Sequence, residues 1–176
     1  KINLYNFNLN FMTNIKKISG KIVNYNSSFV GTINFDNKIL NIENTTNNKF
    51  ENIIIPGFID LHCHGGNGFD VMEGSNSIKE MCKYHLNHGT TSIMPTTWTN
   101  SYEETYQALE GFNAIQKNNT NILGVHLEGP FINPKKLGAQ PNFTQKPSEE
   151  FINNILEIAK IQIITLAPEI EGMDKF

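Results

Sequence analysis

Up to about residue 50 the chain alternates short β-like runs, IKKISGKIVNY, SFVGTINFD and KILNIEN, with Asn, Gly and Ser punctuation. Apolar side chains at alternate positions between turn formers predict strands with unlike faces. Residues from Asn14 to Phe50 therefore read as a small antiparallel sheet or sandwich, although the asparagines blur the alternation. From Ile53 the rhythm changes. IIIPGFIDLHCH is followed by SIKEMCKYHLNHG, TTSIMPTTWT, SYEETYQALEGFNAIQK, NILGVHLEG, the loop PFINPKKLGAQPNFTQK, then PSEEFINNILEIAK and IQIITLAPE. Strand-length apolar runs alternating with helical patterns predict βα units on a parallel sheet, an α/β class. Ser101 with Glu104 forms a predicted capping box, and Ser148 after Pro147, with Glu149 and Glu150 behind it, predicts a helix start. Four such strands are half of an eight-stranded barrel or most of a doubly wound sheet.

Strand periodicity helps to choose between them. If Ile53 to His64 is one strand, its odd positions Ile53, Ile55, Ile59, Leu61 and Cys63 are apolar apart from Gly57. The even positions include Phe58, Asp60, His62 and His64, and residues two apart share a face. One face suits packing under helices, while the other turns polar towards the strand's C-terminal end. In NILGVHLEG, Leu123, Val125 and Leu127 share one face, and Gly124, His126 and Glu128 the other. Two strands thus end in polar groups directed at one interior, the rim where barrel enzymes carry their chemistry. A doubly wound binding domain is disfavoured, because HGGNG lacks the G-x-G-x-x-G spacing of a phosphate loop.

Composition narrows the partners. The formal charge is −3, from 14 basic and 17 acidic residues, with no basic run or aromatic-interleaved patch to suggest nucleic acid. No apolar stretch reaches the length of a membrane span, and no leader-like pattern opens the chain. Cys63 and Cys82 are too few for a disulfide framework, so a reducing, cytoplasmic setting is expected. Asparagine is abundant at 26 residues and arginine is absent, so a phosphate held by this segment would depend on lysine, backbone N–H groups or a helix N-terminus. Residues 1–11, KINLYNFNLNF, are low in complexity, and Met12 reads as the more natural start. LAPEIEGMDKF stops without a closing element, so a piece of a longer protein is expected.

The candidate chemistry is concentrated at the strand ends. His62 and His64, on one face, can chelate a divalent cation, and the following GGNG lets the backbone turn away. Glu128, from another strand, can complete or bridge that site. His126, one layer below, reads as a hydrogen-bonded interior histidine; His85 and His88 read as structural or surface groups of a helix end. Asp60 is either a group that orients a ligand or a buried anchor. Cys63 points outward into the core, and Thr96, Thr97 and Trp98 either line the cavity or cap the barrel. The long loop after Glu128, with Lys135 and Lys136, is expected to reach substrate.

Together PGFIDLHCHG, HGTTSIMPTT, GVHLEGPFINPKKLGAQP and TLAPE resemble motifs of the amidohydrolase superfamily, specifically its N-acetylglucosamine-6-phosphate deacetylases, in that family's order. The resemblance runs from about Met12 to Glu169. It implies a (β/α)8 TIM barrel, whose first four βα units would be residues 53–176, preceded by residues 12–52 as the N-terminal part of a small β-sandwich. It implies His62, His64 and Glu128 as metal ligands for one or two divalent ions (Zn, Fe or Co). The histidine pair favours two, since some members replace it and hold one. The loop at Ala139 and Gln140 would contact the amino sugar. The family's two further metal histidines, its catalytic aspartate and its phosphate-binding arginine correspond to positions beyond Phe176. The chain alone is therefore expected to be inactive.

The resemblance further implies a small amino-sugar phosphate as partner, no nucleic acid or membrane, and a homodimer or larger assembly of the full-length protein. Two other readings stand beside it: a sister amidohydrolase acting on N-acetylgalactosamine 6-phosphate or a cyclic amide, and a non-catalytic fragment that pairs with a second chain.

Overall fold

A computed structural model describes residues 15–46, 49–117 and 121–176; the low-complexity opening and Met12 lie outside these. The chain divides into two units, Lys1–Pro56 and Gly57–Phe176. In the first, β1 (Lys16–Val23) and β2 (Ser28–Phe35) form a hairpin in register from Lys16 opposite Phe35 to Val23 opposite Ser28. Strand β3 (Ile39–Asn44) adds antiparallel to β2, and the short β4 (Ile53–Ile54) pairs parallel with β1. The order is β3-β2-β1-β4. Ile22 and Ile33 are its buried apolar side chains, while all of β3 is exposed. Within this unit the sheet is a single layer.

The second unit carries β5 (Phe58–Cys63), a two-stranded ribbon of β6 (Gly65–Gly66) and β7 (Phe69–Asp70), and α1 (Ser75–Asn87). There follow β8 (Thr90–Thr97), α2 (Tyr102–Gln116), β9 (Val125–Glu128), α3 (Glu149–Ile158) and β10 (Ile161–Thr165). The sheet is parallel throughout, in the order β10-β9-β8-β5. Strands meet in chain order with helices between them, as βα units require. Among the described residues no helix is long and apolar enough to cross a membrane.

Helical spacing explains the core. Ile78, Met81 and Cys82 of α1, Ala108, Leu109 and Phe112 of α2, and Phe151 and Ile155 of α3 recur every three or four residues and are buried. All but Ala108 join one cluster with Ile93, Val125 and Leu127 from the strands and Phe131 from the loop after β9. Ser101 caps α2 by accepting the Glu104 N–H, and Ser148 caps α3 by accepting the Phe151 N–H. The predicted reciprocal half of the Ser101 box is replaced, because the Ser101 N–H donates to Asn100 Oδ1 instead.

Two strand expectations are corrected. Ile53 to His64 is two strands rather than one, because Ile53 and Ile54 pair with β1 while Phe58 onward pairs with β8. Pro56, which lacks an N–H donor, and Gly57 separate them. In addition, the apolar odd face of β5 is covered only at its end. Cys63 is buried, but Ile59 and Leu61 are 65% and 47% exposed on this edge strand.

Candidate metal centre

The C-terminal ends of β5 and β9 bring three donor side chains together. His64 Nε2 lies 2.9 Å from Glu128 Oε2, His62 Nε2 lies 3.7 Å from the same oxygen, and the two imidazole nitrogens are 3.2 Å apart. The spacing has a local cause: His62 and His64 flank Cys63, which points to the opposite side and is buried. Glu128 ends β9 and is delivered to the same face by the parallel pairing through β8. His62, with a side chain 49% exposed, faces the opening.

The His64 ring and the Glu128 carboxylate are held from behind, and His62 through its backbone. The His64 Nδ1–H donates to the Thr96 carbonyl, 2.9 Å away. A carbonyl can only accept, so Nδ1 carries a proton and Nε2 is the nitrogen turned towards Glu128. Thr96, fully buried, also accepts the Cys63 N–H through its hydroxyl and donates that hydroxyl to the Met94 carbonyl. The Trp98 indole stacks on His64, and its Nε1–H donates to Asp70 Oδ2. Asp60 accepts the His62 backbone N–H, so it fixes the chain that carries the ligand rather than the ring itself.

Gln140 reaches in from the loop after β9. Its Nε2 donates to Glu128 Oε2 at 2.6 Å, and its Oε1 accepts the Thr99 N–H at 2.7 Å. Its own backbone N–H donates to the Leu137 carbonyl, so the side chain is what addresses the centre. Ala139 lines a neighbouring cavity of about 390 Å³ with Asp70, Trp98, Asn100 and Pro141. That volume lies within the roughly 300–1,000 Å³ typical of small-molecule sites. Lys136 lies 3.8 Å from Glu169, whose carboxyl the Asn133 amide holds below its ordinary range.

The remaining histidines have structural partners. His126 is buried, donates Nδ1–H to the Leu61 carbonyl and accepts the Thr165 hydroxyl at Nε2. Burial pushes its pKa below the ordinary 6.5, which keeps the ring neutral. His88 caps α1 and bonds the Tyr84 carbonyl, and His85 bonds the Gly65 carbonyl. Periodicity could not have revealed the parts played by Thr96, Trp98 and the Gln140 side chain. Trp98 and Thr96 did carry one signal: they lie at the end of the strand beside β5.

Two imidazole nitrogens and a carboxylate oxygen within 4.8 Å of one another form a donor set suited to a divalent cation. Residues 53–170 match the amidohydrolase family. The chain belongs to that family. This amidohydrolase chain is 39% identical over 129 residues to N-acetylglucosamine-6-phosphate deacetylase of Bacillus subtilis (strain 168), covering 68% of the chain and 33% of that protein. It is 30% identical over 162 residues to the Danio rerio protein of the same name, covering 86% of the chain and 38% of the relative. Its mixed α/β fold resembles the crystal structure of N-acetylglucosamine-6-phosphate deacetylase from Thermotoga maritima, with a TM-score of 0.78, 30% identity and coverage of 91% of this chain and 44% of that one. The chain thus spans 33% and 38% of the length of these two curated relatives.

Proposed function

We propose that residues 53–176 are the first four βα units of a (β/α)8 barrel and that residues 12–52 contribute to a small β-sandwich. The whole protein is a cytoplasmic, metal-dependent hydrolase, a homodimer or larger. It converts N-acetylglucosamine 6-phosphate into glucosamine 6-phosphate and acetate. One observation carries this reading: His62, His64 and Glu128 converge, with Nε2 of His64 facing the carboxylate. The relatives' names supply the substrate, and two buried, unpaired cysteines support the compartment.

The donors suit one or two ions of Zn, Fe or Co. When bound, such an ion supplies Lewis acidity, polarising the acetamide carbonyl and acidifying water. This chain's own residues give the centre its shape. Thr96 fixes the His64 tautomer, Trp98 fixes its ring plane, and Gln140 orients Glu128 against Thr99. Ala139 and Trp98 wall the cavity beside the centre, where the sugar ring is accommodated. The general acid/base of this reaction has to activate water and protonate the leaving amine.

The test is an acetate and primary-amine assay of the full-length protein with N-acetylglucosamine 6-phosphate and Zn, Fe or Co supplied. Stoichiometric release of both is expected. Release only from the galactosamine epimer or from a cyclic amide would move the assignment to a sister enzyme. No release from any of them would end it.

A further inference from the structure

A second group of donors meets between β5 and α1. Cys63, the last residue of β5, puts Sγ 3.2 Å from Nε2 of His85, near the end of α1. Both atoms approach the Gly65 carbonyl, at 3.2 and 3.0 Å. A carboxylate oxygen of Asp60 completes the group, and the three side-chain donors lie within 4.8 Å of one another. Gly66 leaves the approach open, because a Cβ there would stand 2.6 Å from His85 Nε2.

Hydrogen bonding accounts for part of this. The His85 Nε2–H and the Cys63 S–H can share the two lone pairs of the Gly65 carbonyl. It also places the Asp60 carboxylate, through the His62 N–H, yet it calls for no sulfur among these donors. Sulfur, imidazole and carboxylate are instead a ligand set for a borderline-soft cation. With Zn–S near 2.3 Å and Zn–N near 2.0–2.1 Å, tetrahedral donors sit about 3.3–3.8 Å apart. The Sγ–Nε2 separation is already close to that spacing, and the Asp60 oxygen lies within 4.8 Å of both atoms.

We infer that Cys63, His85 and Asp60 form a second cation site, for a thiophilic divalent ion such as Zn2+, distinct from the rim donors His62, His64 and Glu128. Binding displaces the Cys63 proton to solvent, moves the His85 proton from Nε2 to Nδ1 and leaves a thiolate–metal bond, with the Gly65 carbonyl available as fourth donor. Such an ion ties the C-terminal half of α1 to the end of β5, beneath the segment that carries both rim histidines.

The experiment is a Co2+ titration of the full-length protein followed in the near ultraviolet, where thiolate-to-cobalt charge transfer absorbs and a site of histidine and carboxylate is silent. A charge-transfer band is expected, retained in Cys82→Ala and lost in Cys63→Ser. In His85→Gln the Co2+ affinity of the band is expected to fall at least about tenfold. Because Cys63→Ser could unfold the strand end, cadmium NMR of the unsubstituted protein gives a second readout. There a sulfur-ligated resonance that shifts in His85→Gln is expected. Absence of the band at saturating Co2+, its survival in Cys63→Ser, or cadmium resonances from nitrogen and oxygen ligands alone would overturn the inference.

Discussion

The Trp98 indole lies flat on the His64 imidazole, with ring centroids 3.7 Å apart and planes 13° from parallel. Asp70, which also caps the short helical turn after β7, holds that indole by its Nε1–H, and the Thr96 carbonyl holds the imidazole by Nδ1–H. The orientation of one candidate ligand is therefore over-determined, by a stacked ring and a hydrogen bond. Trp98→Ala removes the stack while leaving every donor in place. Divalent-ion affinity of the full-length protein, measured by calorimetric titration, is expected to fall roughly 10–100-fold. Trp98→Phe, which keeps an aromatic face but loses the Asp70 bond, should fall between. Unchanged affinity in the alanine variant would mean that the stack is packing alone.

Gln140→Ala separates Glu128 from its amide partner and leaves the Thr99 N–H without its acceptor. A hydrogen bond to a charged group contributes about 1.5–3 kcal/mol. Ion affinity is expected to drop by about tenfold or more, together with faster proteolysis of the loop over 130–147 as that anchor is lost. A variant with normal ion binding and normal loop protection would contradict the positioning role.

Gly129 follows Glu128 with φ +80°, and a Cβ at that position would collide with Thr99 Oγ1. Gly129→Ala combines an unfavourable backbone conformation with that collision, so it should cost about 1–3 kcal/mol. A thermal melt should shift down by several degrees. A melt within experimental scatter of the parent would show that the strand end relaxes freely.

Burial pushes the Cys82 thiol from 9.0 up to about 12. A folded pKa above the unfolded one stabilises the fold fully below about pH 9, and that contribution is lost as pH rises from 9 towards 12. In the native protein at pH 8, Cys82 should therefore resist iodoacetamide, and in denaturant it should react at once. Rapid native labelling, mapped by peptide mass spectrometry, would contradict this placement.

The β1–β2 hairpin, the alternation of strand and helix from Gly57 onward and the shared face of His62, His64 and Glu128 were all legible in the sequence. Pleat and helix turn are local steric periods, so residues two or three to four apart report their own faces. Beginning at Pro56-Gly57, only tertiary structure decided the rest. It split Ile53 to Cys63 between two sheets, and it left Ile59 and Leu61 exposed on an edge strand. It also set Trp98 against His64 from 34 positions away, and Gln140 against Glu128 from a loop without regular period. Those contacts depend on where separate elements travel before they meet, and no spacing within any single element records that path.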